Sequence, residues 1–160
     1  MAARTGTGWI QAGAILAGLS VVLGAFAAHG LEKPLMSLYA GQTHEVLGVT
    51  IPSAQKYLGD FRTAAEYQMT HSLGMIAVGL LLQTRRSKCA HVAGICFLIG
   101  ILLFSGSLYT LVLTGTRWLG AITPFGGVTF LIGWGALCLA ATGASGRDVR
   151  HEDRREEAVS

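Results

Sequence analysis

The chain carries little charge. Asp, Glu, Lys and Arg make up 13% of its 160 residues, about half of what a soluble domain normally shows. Hydrophobic residues make up 51%, and the mean hydropathy is +0.51. Too few charges remain to cover a water-soluble globule, which excludes a soluble domain and leaves an integral membrane protein. The net charge of +3 is modest and forms no dispersed basic face. No nucleic-acid partner is expected. Cysteine is also scarce. Cys89, Cys96 and Cys138 are an odd number without Cys-x-x-Cys spacing, which excludes a disulfide framework and a zinc site. They read as small apolar packing residues. Catalytic signatures are missing too. Ser105-Gly106-Ser107 lacks Gly-x-Ser-x-Gly and lies in a helical pattern, where small hydroxyl residues support close packing. Gly126-Gly127 lacks the rest of a phosphate-binding fingerprint. The chain therefore reads as no enzyme, with no catalytic residue, metal or cofactor expected.

What is present is a set of long apolar runs. Ile10 to Ala28 is uncharged for 19 residues, enough to cross a hydrocarbon core. Trp9 before it reads as an interfacial anchor. Gly13, Ala17, Ser20, Gly24 and Ala27 form a stripe of small side chains on one helical face, which lets another helix approach closely. Arg4, the apolar run and Ala25-Phe26-Ala27 also fit a cleavable signal peptide, but the small-residue stripe suits a retained helix better. The pattern predicts an all-α, integral membrane, antiparallel four-helix transmembrane bundle with spans near 9–29, 61–83, 89–113 and 120–142. Residues 1–142 form one domain. Within it, the 30–60 connection is extracytoplasmic and apolar enough to pack on the bundle or the membrane interface, with a short helix at Ser53 to Leu58. Asp60 is the expected N-cap of the second span. Residues 143–160 read as a charged, disordered, cytoplasmic tail.

Basic residues orient the bundle. The 84–88 turn holds Arg85, Arg86 and Lys88, whereas the 114–119 turn holds only Arg117. The positive-inside rule then places both termini in the cytoplasm. Alternation of the spans brings four distant segments to the opposite face: His29, Glu66 to His71, Ser105 to Tyr109, and Thr123 to Gly127. The candidate polar layer is His29, Glu66, Tyr67, Gln68, His71, Ser105, Ser107, Tyr109 and Thr123. His29, Glu66 and His71 could relay protons or bind a metal or haem, because His pairs with carboxylate in both roles. Their spacing matches no metal motif. Glu66 and His71 are also five apart, so they need not share a helical face, whereas Glu66 and Thr70 do. A hydrogen-bonded layer that fixes helix register is the simpler reading. Tyr109 reads as a belt aromatic and His91 as an interfacial residue.

The same segments carry a family likeness. Gly24-Ala25-Phe26-Ala27-Ala28-His29-Gly30, Glu66-Tyr67-Gln68 with His71, Leu103 to Tyr109, and Thr123-Pro124-Phe125-Gly126-Gly127 with Gly133-Trp134 occur in this order across residues 9–142. The chain thereby resembles the small four-span membrane proteins of the YgdD and transmembrane-protein-256 family, a domain of unknown function (number 423). The resemblance implies a four-helix protein of the bacterial cytoplasmic (inner) membrane and brings no activity, substrate or cofactor. The 30–60 connection looks longer than that family's pattern, and the charged tail departs from it. The functional expectation is a non-enzymatic accessory or structural membrane component, with the lipid bilayer and a membrane-protein partner or homo-oligomer as its surroundings. The alternative is a small oligomeric transporter or channel that uses the polar layer for a proton or cation.

Overall fold

A computed structural model describes residues 2–142, with side chains from Gly6 onward. The expected tail at 143–160 lies outside the described residues. In chain order the elements are α1 (Ala2–His29), α2 (Glu32–Leu38), strands β1 (Thr43–Val46) and β2 (Val49–Pro52), α3 (Ser53–Thr84), α4 (Lys88–Gly100), a π-helical turn (Ile101–Gly106), α5 (Ser107–Thr114), a 3-10 turn (Arg117–Ala121) and α6 (Thr123–Thr142). The class is all-α and membranous. Among the described residues, three stretches are long and apolar enough to cross a bilayer: Gly6–His29, Lys88–Thr114 and Arg117–Thr142. α3 is 32 residues long but more polar, and it carries much of the buried surface.

α1 and α3 run antiparallel in a register set by small residues. A Cβ on Gly6 would lie 2.5 Å from the Gly79 carbonyl oxygen, and one on Gly13 would lie 2.6 Å from that of Ser72. Ser20 Oγ donates to the Ala65 carbonyl at 2.8 Å. The residue numbers in each pair total 85, and successive contacts are seven residues apart on both helices. A seven-residue repeat in contact positions gives a left-handed supercoil. Of the expected stripe, Gly13, Ser20 and Ala27 are buried while a Cβ on Gly24 would meet open space. The true seam is the heptad that begins at Gly6.

Two apolar clusters fill the bundle. One joins Ala27, Leu31, Leu35, Tyr39, Tyr57, Phe61, Leu111 and Val112, and the other joins Met75, Val78, Leu82, Ala93, Phe97, Ile101 and Phe130. The first is where the 30–60 connection folds back. Leu31, just before α2, and Leu35 within it are buried there, and the Tyr39 hydroxyl donates to the Val112 carbonyl at 2.8 Å. Burial, with the Tyr57 phenol as a second cause, holds the Tyr39 pKa above its ordinary value. The second is closed by Arg85, whose Nη2 donates to the Ala140 carbonyl at 2.5 Å. A cation there satisfies the end of α6 and opposes its dipole.

Several expectations are corrected. The connection contains a β-hairpin, which turns at Leu47 and Gly48, both with positive φ (52° and 79°). This is the type I′ pattern. The helix expected at Ser53 to Leu58 is the first part of α3, not a separate element. Asp60 is no N-cap: it lies inside α3 and pairs with Lys56 one turn earlier. Pro52 begins the helix instead, because it leaves Ser53 onward free to be helical. Trp9 is half-buried, its ring against Gly94 and its Nε1 donating to His91 Nδ1 at 3.2 Å. It ties α1 to α4, and His91 is its acceptor.

The seam makes a direct prediction. Gly13→Val should lower stability by about 1–3 kcal/mol through overpacking, read as a thermal or denaturant shift in detergent. Gly18→Ala, where a Cβ meets open space, should leave the transition unmoved. Equal melting of Gly13→Val and wild type would refute the seam.

Candidate functional site

The register places the polar segment deeper than its sequence suggests. Pairs totalling 85 set Glu66 level with Leu19, ten residues from the His29 end of the Gly6–His29 run and thirteen from the other. At about 1.5 Å per residue, Glu66 sits roughly 15 Å below the end of α1. Glu66 to His71 therefore lies level with the middle of α1, not with its end. His29 is exposed at the end of α1 and does not share the layer.

Gln68 is the hub. It is buried, and its Nε2 donates to the Leu16 carbonyl of α1 at 2.8 Å. Its Oε1 accepts from the Tyr109 hydroxyl of α5 at 3.1 Å. One amide thus joins three helices. Tyr109 points inward, with its ring 4.6 Å from that of Phe61, so it is not a belt aromatic. Ser105 in the π-helical turn donates to the Ala64 carbonyl at 2.8 Å. The Ser107 and Thr123 hydroxyls share a 2.9 Å hydrogen bond, and each also faces a carbonyl of its own segment, Phe104 at 3.0 Å and Leu119 at 3.4 Å. That bond joins α5 to α6. Ser20 and Ser72 belong to the same network and were missed as site residues: Ser72 donates to the Gln68 carbonyl at 2.6 Å. Their signal was the heptad spacing with Gly6, Gly13 and Gly79. Among the described residues, no fully buried side-chain nitrogen or oxygen lacks a partner.

Glu66 and His71 part company. Glu66 is exposed, as is Thr70, whose hydroxyl donates to the Glu66 carbonyl. His71 is buried, its Nδ1 2.7 Å from the Tyr67 carbonyl and its ring flat against Phe130 (3.3 Å, 10°). Tyr67 is stacked on Phe104 at 4.4 Å. These aromatics border a cavity of about 500 Å³ between α3 and α6. The described residues contain no cluster of three His, Cys, Asp or Glu side chains able to hold a metal.

Comparison with known proteins gives the family. A family model described as "Protein of unknown function (DUF423)" matches residues 23–127. The chain belongs to the DUF423 family. The matched span includes the whole 30–60 connection. A UPF0382 membrane protein of Staphylococcus epidermidis is 42% identical over 132 residues, which cover 82% of this chain and 93% of the relative. The UPF0382 membrane protein YwdK of Bacillus subtilis is 42% identical over 135 residues, 83% of this chain and 94% of its own. The UPF0382 inner membrane protein YgdD of Escherichia coli is 33% identical over 132 residues, 82% and 87% of the two chains. No solved structure matches. This DUF423 chain is thus an integral membrane protein whose relatives carry no named activity.

The hub can be measured. Gln68→Leu and Tyr109→Phe should each cost about 1 kcal/mol. A double-mutant cycle in detergent should return a coupling of about 0.6–1.7 kcal/mol. Strictly additive costs would show that the Tyr109–Gln68 bond does not act.

Proposed function

We propose that this DUF423 protein is a non-enzymatic accessory or structural component of a larger membrane assembly. In this reading α3 crosses the bilayer as a fourth span beside α1, in the bacterial cytoplasmic (inner) membrane. Both termini are cytoplasmic, because Arg85, Arg86 and Lys88 crowd the turn between α3 and α4. One observation carries the proposal. Arg62, Glu66 and Thr70 form an exposed ridge on α3, continued by Leu73, Ala77 and Leu80. An exposed carboxylate level with the middle of α1 is costly against lipid and calls for protein or water. Ser20, Gln68, Ser105 and Tyr109, in contrast, are occupied in holding helices together. The ridge is therefore the docking face for a membrane-protein partner or a second copy. Arg62 and Glu66, opposite charges one turn apart, make it self-complementary.

The same ridge supports a second reading, a small oligomeric transporter or channel in which Glu66 handles a proton or cation. An affinity pull-down in mild detergent separates the two. Wild-type protein should retain a stoichiometric membrane partner or a second copy. Glu66→Ala should release it without lowering the melting temperature. Retention of the partner by Glu66→Ala would overturn the docking role. Proton or cation flux in liposomes that is lost in Glu66→Gln would favour the transporter.

A further inference from the structure

The cavity between α3 and α6 has features that helix packing does not need. It measures about 500 Å³, within the size range of small-molecule sites. It lies at mid-depth on both helices. Residues 67–71 of α3 are level with residues 14–18 of α1 by the seam register, and Leu131 and Trp134 are near the middle of the Arg117–Thr142 stretch. Leu131 is 72% exposed and Trp134 42%, so with α3 crossing the bilayer as proposed above the mouth opens sideways toward lipid. A ligand for this cavity must dissolve in the membrane.

His71 states what that ligand must offer. The side chain is only 4% exposed, yet it lines the cavity. The Tyr67 carbonyl can only accept, so the 2.7 Å contact places the ring hydrogen on Nδ1. Nε2 of the neutral imidazole then carries a lone pair. No described residue donates to it, while every fully buried side-chain nitrogen and oxygen has a partner. Nε2 is therefore an unfilled acceptor at the cavity surface. The walls around it are flat: Phe130 stacked on the imidazole, Tyr67 stacked on Phe104, and the Trp134 ring 6.0 Å from that of His71. Flat aromatic walls favour a planar ring. An acceptor favours a hydroxyl donor over a carbonyl or an ether. Charged groups are disfavoured at this depth.

We propose that this cavity is a lateral binding site for a membrane-dissolved planar ring that bears a hydroxyl group, of the phenol or quinol class, with His71 Nε2 accepting from the hydroxyl. Acyl chains alone would fill the volume but leave Nε2 without a donor. Thr70, whose own hydrogen is directed to the Glu66 carbonyl, keeps an oxygen free to accept at the rim.

The test compares 4-hexylphenol with 4-hexylanisole, its methyl ether, which has the same ring and tail but no donor. Protein in nanodiscs, labelled with ¹⁵N-histidine, is titrated with each against empty nanodiscs. The phenol should bind saturably at one per chain, at least tenfold tighter than the ether, and only the phenol should shift the His71 Nε2 resonance. Leu131→Trp, which fills the exposed mouth, should abolish binding and leave the melting transition in place. His71→Phe keeps an aromatic ring against Phe130 and should bring the two compounds to equal affinity. Equal affinities in the wild type, undiminished binding in Leu131→Trp, or no saturable binding of the phenol would each overturn the proposal.

Discussion

The fold depends on how closely two backbones approach. Lipid gives apolar helices little reason to prefer one another over acyl chains, so association rests on close packing and hydrogen bonds. In α1 and α3 the carbonyls of Ser72 and Gly79 occupy the space that side chains on Gly13 and Gly6 would fill. Sliding the helices by one residue would bring Cβ atoms onto those carbonyls. The seam therefore fixes depth as well as contact. It is the reason that Gln68 meets Leu16 and that Ser20 meets Ala65.

Polar bonding then adds what apolar packing lacks. The two hydrophobic clusters lie on either side of the Gln68 layer. Leucine and phenylalanine surfaces tolerate small shifts, because dispersion is non-directional. The amide of Gln68 does not, since its donor and acceptor are committed to different helices. In a medium without water a misplaced amide finds no substitute partner. The layer acts as a locating pin between two more forgiving masses. The π-helical turn contributes by presenting Ser105 to α3, just before Ser107 meets Thr123.

Much of this was legible in the residues. The three apolar spans follow from the roughly 20-residue requirement of a bilayer, and Gly13, Ser20 and Ala27 showed that α1 would be approached closely. Gln68, Ser105, Ser107, Tyr109 and Thr123 were singled out as polar groups in apolar surroundings. Their depth was not legible. The run Ser72 to Leu82 made Glu66 to His71 look like a mouth, because depth depends on the partner's register and not on the next apolar residue. His29 was grouped with them by alternation, which fixes the side of the membrane and not the level within it. The hairpin escaped notice because Leu47 occupies a positive-φ position where Asn, Asp or Gly is usual. Asp60 was a good capping residue in the wrong place, since Pro52 had already started the helix eight residues earlier.

The uneven division of apolarity between α1 and α3 bears on how the protein is made. α1 is apolar enough to cross a bilayer by itself and is little buried in the finished bundle. α3, in the proposed topology, brings Gln68, His71, Ser72 and Glu66 into the same layer and is a poor solitary span. Synthesis from the N-terminus delivers α1 first. Its Leu16 carbonyl and its glycine face are then in place as docking points for the arriving helix.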